Sequence, residues 1–287
     1  YTIEEKILRD RNDKPMKDPE LVRVFIDFLR QEGREDEAHK LIMTIPMTKE
    51  KIDEYMDRGI NLNILYANQK LTSDQIDKAI DIGKDLNILY SNLQHLTPDQ
   101  IDKAIDKGID LDILYKYQKD ITSENIDRAI DKGIALDALY QCQKPLTPKN
   151  IDHAMDKGEE LKYLYANQKL SPKQIDRAMD IGKDLDSLYF GQTLTQEQID
   201  KAMDIRKDLK YLYANQTLTP EQIDKAIDKA IDKGIYLDIL YKYQKDITSE
   251  NIDHAIEKGI ALDALYYNFS HLTPEQIDKA IDKGIAL

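Results

Sequence analysis

The chain has one cysteine, Cys142, no tryptophan, and only 4 Phe, 11 Gly and 9 Pro in 287 residues. A single cysteine excludes a disulfide framework or a cysteine-ligated zinc site within one monomer, and it suits a reducing compartment. No apolar run approaches the roughly 20 residues a membrane-spanning helix needs. Neither a membrane partner nor a transmembrane segment is therefore expected, and the expected location is cytoplasmic (virion or host cytoplasm if phage-encoded). Basic residues are the minority, 41 Lys plus Arg against 54 Asp plus Glu, which leaves a net charge of −13. That balance disfavours nucleic acid and anionic membrane and favours a protein partner with a basic surface. The 17 Tyr are the one aromatic abundance.

What the chain has in quantity is itself. Aligned on the Ile of "ID", the sequence repeats at Ile52, Ile76, Ile101, Ile126, Ile151, Ile175, Ile199, Ile223, Ile252 and Ile277, in steps of 24 or 25 residues with one of 29. A fixed period of this size means stacked supersecondary units. The consensus is L-T-P-E-Q-I-D-K-A-I-D-K-G-x-D-L-x-x-L-Y-x-N-Q-x. Thr97 reads as an N-cap, Pro98 as the first helical position and Gln100 as the far end of a capping box. Ile101, Ala104 and Ile105 make an i, i+3, i+4 stripe, and Gly108 ends the helix in the left-handed conformation. A second, shorter helix from Asp110 buries Leu111, Leu114 and Tyr115. Arg206 stands where the helix-ending glycine belongs, at a cost of about 1 kcal/mol if the left-handed geometry persists. Asn68, Asn167, Gly191 and Asn215 occupy the expected left-handed position of the closing loop. Where that loop gains a residue, at Tyr117, Cys142 and Tyr243, the extra length should relieve the demand for positive φ.

These features predict an all-α fold, an α-solenoid of about ten 24–25-residue two-helix repeats over 48–287 behind a helical N-terminal cap over 1–47. In the cap, Asp18-Pro19 opens a helix with Leu21, Val24, Phe25, Phe28 and Leu29 on one face, Gly33 ends it, and a second helix follows around Asp36–Met43. A four-residue insertion near 228–231 lengthens one step to 29, and a helix one turn longer is expected there, since four residues rotate a helix by about 400°. The chain stops at Leu287 midway through a repeat, so the native protein is expected to continue, or this edge to dock end to end.

The run of Asn215, Thr219-Pro220, Ile223, Ala226 and Ile227 resembles the leucine-rich repeat variant family, loosely over 48–287. The resemblance implies a right-handed solenoid that alternates α-helices with shorter ones, either α or 3₁₀. It bears on fold and not on function.

Three sets of residues are candidates for function. The acid five residues after each marker Ile gives a column: Asp81, Asp106, Asp131, Asp156, Asp180, Asp204 and Asp228, with Asp232 available in the insertion. It reads as a solvated face with i, i+3 partners such as Lys103 with Asp106, as a bridging group for the next repeat, or as an acidic stripe for a basic partner. The tyrosines that follow Leu in each repeat (Tyr66, Tyr90, Tyr115 and their equivalents) read as a half-buried ladder with hydroxyls at the water boundary, or as base-stacking groups for single-stranded RNA. The acidity and the lack of a basic track oppose RNA. Tyr117, Tyr163, Tyr211, Tyr243 and Tyr267 fall off the ladder and suit contacts with a partner. No Ser-His-Asp, Cys-His or zinc spacing appears, and a pair of aspartates repeated ten times is architecture rather than one active site. The expectation is a non-enzyme with no catalytic residue, metal or cofactor. It would be a protein-binding scaffold that presents an acidic face or groove to a basic partner, and the composition suggests a bacterial or phage source. If phage-encoded, it could inhibit a host protein by charge mimicry. The alternatives are an assembly component, joining end to end or decorating a larger particle, and a single-stranded RNA-binding repeat.

Overall fold

The computed structural model describes residues 19–142, 144–230, 236–259, 262–268 and 272–283. They are helical with no strand among them, and successive helices pack as a helical-repeat solenoid. Two compact units divide the chain, Tyr1–Cys142 and Gln143–Leu287.

In the first unit, Pro19–Gln31 and Glu35–Ile42 pack together ahead of the repeats. Their core is Val22, Phe25, Ile26, Leu29 and Ala38. The expected face is thus rotated: Val22 and Ile26 point inward, while Val24 and Phe28 stay exposed. The helix Glu35–Ile42 sets this rotation by covering the side on which Val22 and Ile26 lie.

Most repeats then pair a first helix of ten residues, such as Pro98–Lys107, with a second of seven, such as Leu111–Tyr117. First helices stack on first helices and second on second within each unit. The capping boxes form as read: Thr97 Oγ1 accepts from the Gln100 amide at 3.2 Å, and Gln100 Oε1 accepts from the Thr97 amide at 3.1 Å. Gly108 ends the helix at φ 71°, and Arg206 takes the same left-handed geometry at φ 60°.

The second helices are α-helical, and one expectation about their ends is corrected. Asn68, Asn167, Gly191 and Asn215 are the last residues of their helices, and none has positive φ. The asparagines instead bond back one turn, as Asn215 Nδ2 does to the Tyr211 carbonyl at 2.8 Å. Gly191 is required for space, because a Cβ there would lie 2.7 Å from the Ala166 Cα of the preceding repeat. The second left-handed residue of each repeat sits just before the second helix: Asn61, Asp85, Asp110, Ala135, Glu160, Asp184, Asp208 and Tyr236. Aspartate and asparagine tolerate this geometry best. At Asp110 the carboxylate also accepts from the Asn87 amide of the preceding repeat at 3.0 Å, capping that neighbour's helix N-terminus.

In the insertion, the helix is described over Pro220–Ala230, one residue longer than the ten-residue first helices. Residues 231–235, Asp232 among them, lie outside the described residues, so the expected extra turn does too.

Candidate interaction surface

Two ladders of polar groups tie each repeat to the one before it, and they decide which residues are left for other work. The inner ladder was not singled out in the sequence. Gln216, 7 % exposed, donates through Nε2 to the carbonyls of Tyr189 at 2.7 Å and Gln192 at 2.8 Å, and its Oε1 accepts from the Leu194 amide at 3.0 Å. Gln192 does the same to Tyr165, Gln168 and Leu170, and Gln244 to Tyr213, Gln216 and Leu218. One buried amide therefore satisfies loop groups that would otherwise be orphaned. The signal was the recurrent Gln three residues after each Tyr, broken at Leu93 and Phe269.

The outer ladder is the carboxylate column. Asp81 meets Lys103 at 2.6 Å and Lys107 at 3.6 Å, both from the next repeat. Asp106 meets Arg128 at 2.8 Å and Lys132 at 2.8 Å. In the second unit, Asp156 pairs with Arg177, Asp180 with Lys201 at 2.6 Å, Asp204 with Lys225 and Lys229, and Asp228 with His254 at 2.9 Å and Lys258 at 3.0 Å. Asp131 holds the equivalent place at the end of Ser123–Lys132. The pairing runs between repeats rather than from Lys103 to Asp106 within one helix. Hydrogen bonds from Arg128 and Lys132 hold Asp106 down at about 2, and Lys103 lowers Asp81 in the same way. All these acids are exposed, so each pair contributes little to stability.

The ladder tyrosines among the described residues are buried, against the expectation of hydroxyls at the water boundary. Tyr66, Tyr90, Tyr165 and Tyr189 are 0–2 % exposed, and Tyr115 is 3 % exposed. Their hydroxyls have no hydrogen-bond partner among the described residues. Burial pushes the phenols up, Tyr66 and Tyr165 to about 12, and the Asp85 and Asp184 carboxylates of the following repeats add to it. These rings are core and reach no partner.

What remains on the surface is the outward face of the second helices. In the second unit it carries one aromatic residue per repeat: Tyr163, Phe190, Tyr211, Tyr243 and Tyr267. Phe190 is 68 % exposed, Tyr243 49 % and Tyr267 89 %. Lysines flank them, with Lys162 4.6 Å from the Tyr163 ring, Lys210 4.6 Å from Tyr211 and Lys242 5.3 Å from Tyr243. In the first unit, Tyr117 with Lys116 repeats the Tyr243 arrangement at 5.3 Å, as the identical stretches Leu111–Asp127 and Leu237–Asp253 require. The off-ladder tyrosines are thus brought onto one kind of surface, and the acids onto another.

Among the described residues, no cluster of three or more His, Cys, Asp or Glu could hold a metal ion, and no helix is long and apolar enough to cross a membrane. No protein-family model matches the chain, and comparison with curated proteins finds no relative.

Proposed function

We propose that the chain is a non-enzymatic protein-binding scaffold that meets its partner through the second-helix face of Gln143–Leu287. The observation that carries this reading is the aromatic side chain on each consecutive second helix, exposed at Phe190, Tyr243 and Tyr267 and half-buried at Tyr163 and Tyr211. Burying a large apolar side chain is worth about 1.5–3 kcal/mol, so a surface that leaves several exposed favours association. Aromatics are the residues enriched at the centres of protein interfaces. The acidic column supports a contact role less well, because its members already meet cations of their own chain.

Capture experiments separate the two faces. The chain, the variant Phe190→Ser/Tyr243→Ser/Tyr267→Ser and the variant Asp81→Asn/Asp106→Asn/Asp204→Asn serve as baits for proteins of the native source, at two salt concentrations. A protein kept by the carboxylate variant and lost by the aromatic variant supports this reading. The reverse pattern, abolished by salt, would move the contact to the acidic column and to a basic partner.

A further inference from the structure

The second-helix face of the Gln143–Leu287 unit carries its charges in a particular order. The second residue of four consecutive second helices is Lys162, Asp186, Lys210 and Asp238. Over these four the sign alternates, plus, minus, plus, minus; Leu262–Asn268 follows with Asp263 at the same position, and Lys242 lies one turn after Asp238. None of the equivalent residues in the first unit, Asn63, Asn87, Asp112 and Asp137, is basic. Asp186 and Asp238 have no ion-pair partner among the described residues, which contrasts with the paired acids of the first helices. Lys210 rests only on its own neighbour's ring, 4.6 Å from the centroid of Tyr211, and Lys162 adds a long contact of 3.9 Å to Glu160.

An alternating row of four is self-complementary under a two-fold axis. A contact of this kind places residue i against residue j and j against i. With the axis between Leu185–Gly191 and Leu209–Asn215, the first helix of the row faces the fourth of a second copy, and the second faces the third. Lys162 then meets Asp238 and Asp186 meets Lys210, four charge pairs in all, and Phe190 comes opposite Tyr211 at the centre. We propose that this face is an isologous homodimer surface, its occupant a second copy of the same chain. The inference rests on the reading of this face as the contact surface and names the partner.

The footprint sets the strength. Four helices about 10 Å apart, each about 10 Å long, give roughly 400 Å² per protomer, about 800 Å² in total, the size of a weak, transient contact. Dissociation at micromolar concentrations is therefore expected, with monomer at about 1 µM and dimer dominant at about 200 µM. Ionic strength near 0.15 M is the condition to use, because a Debye length of about 8 Å screens the −13 carried by each copy.

Sedimentation velocity on the full chain tests this with two charge-reversed variants. Lys162→Asp/Lys210→Asp makes the row all acidic, and Asp186→Lys/Asp238→Lys makes it all basic. All four side chains lie at the surface, so both variants should keep the wild-type circular dichroism. Each alone should associate at least about tenfold more weakly than wild type, because like charges now face each other. Mixed one to one, they should recover a dimer. A wild-type chain that stays monomeric at 200 µM overturns the proposal, as does a dimer that survives in both variants alone. Should self-association fail while the aromatic variant still loses a captured protein, the scaffold reading stands and only the identity of the partner falls.

Discussion

Replacing Gln216 with leucine removes three hydrogen bonds across one repeat junction while keeping most of the side-chain bulk. The Leu194 amide and the Tyr189 and Gln192 carbonyls lose their partner, and the site is 7 % exposed, so water does not readily take its place. A buried group left unsatisfied costs about 1–3 kcal/mol, which gives about 3–6 kcal/mol for three with partial relaxation. Burying the leucine returns about 1–2 kcal/mol. The net expectation is a loss of about 2–4 kcal/mol, confined to the junction between the repeats that hold Leu185–Gly191 and Leu209–Asn215. Urea unfolding followed by circular dichroism should show a lower midpoint and a broader transition, since a weakened junction uncouples neighbours in a repeat array. Amide exchange should show the Leu194 N–H losing protection while the Leu170 N–H, held by Gln192, keeps it. A stability within about 0.5 kcal/mol of wild type, with Leu194 still protected, would refute the claim that this ladder holds the repeats together.

Other substitutions and pH probe the remaining parts of the account. Arg206→Gly should raise stability by about 1 kcal/mol, because φ 60° is disfavoured for arginine and free for glycine; urea titration reads it. Gly191→Ala should lower stability by about 1–3 kcal/mol, since its methyl has no room beside the Ala166 backbone. On the acid side, the lowered Asp106, Asp81, Asp204 and Asp228 contribute stability that is full above about pH 4 and lost as pH falls through about 2, where Asp106 titrates. On the alkaline side the sign reverses. Tyr66, Tyr165 and Tyr213 are raised to about 12, so their contribution is full below about pH 10 and disappears as pH rises towards 12. Thermal melts across both windows should show these losses, with a plateau between them.

The parts of the fold that were legible in the sequence are local. Thr97, Pro98 and Gln100 define a helix start within four residues, and Gly108 or Arg206 marks its end, so both helices and the period could be read directly. The misplaced features divide between one local competition, at Asn215, and contacts between repeats that leave no local pattern. Asn215 looks like a left-handed residue because asparagine favours that geometry, yet its amide serves the helix carbonyl behind it, and Asp208 takes the positive φ instead. Lys103 has Asp106 one turn away on its own helix and Asp81 in the preceding repeat, and only stacking shows that it takes the second. The tyrosine ladder looked amphipathic because a phenol usually finds water, but the following repeat covers each ring completely. For the candidate surface, the sequence set Tyr117, Tyr163, Tyr211, Tyr243 and Tyr267 apart from the ladder. It passed over Phe190 and the alternating charges around them, which gain meaning only when the second helices stack side by side.

The central claim is that the second-helix face of Gln143–Leu287, and not the carboxylate column, is the contact surface. Hydroxyl-radical footprinting, read by mass spectrometry on the chain alone and in its associated state, tests it most directly. The expected result is protection of Phe190, Tyr211 and Tyr243 on association, with the first-helix surface around Lys103, Arg128 and Lys225 unchanged. Protection confined to the first helices, with Phe190 as reactive as in the free chain, would contradict it.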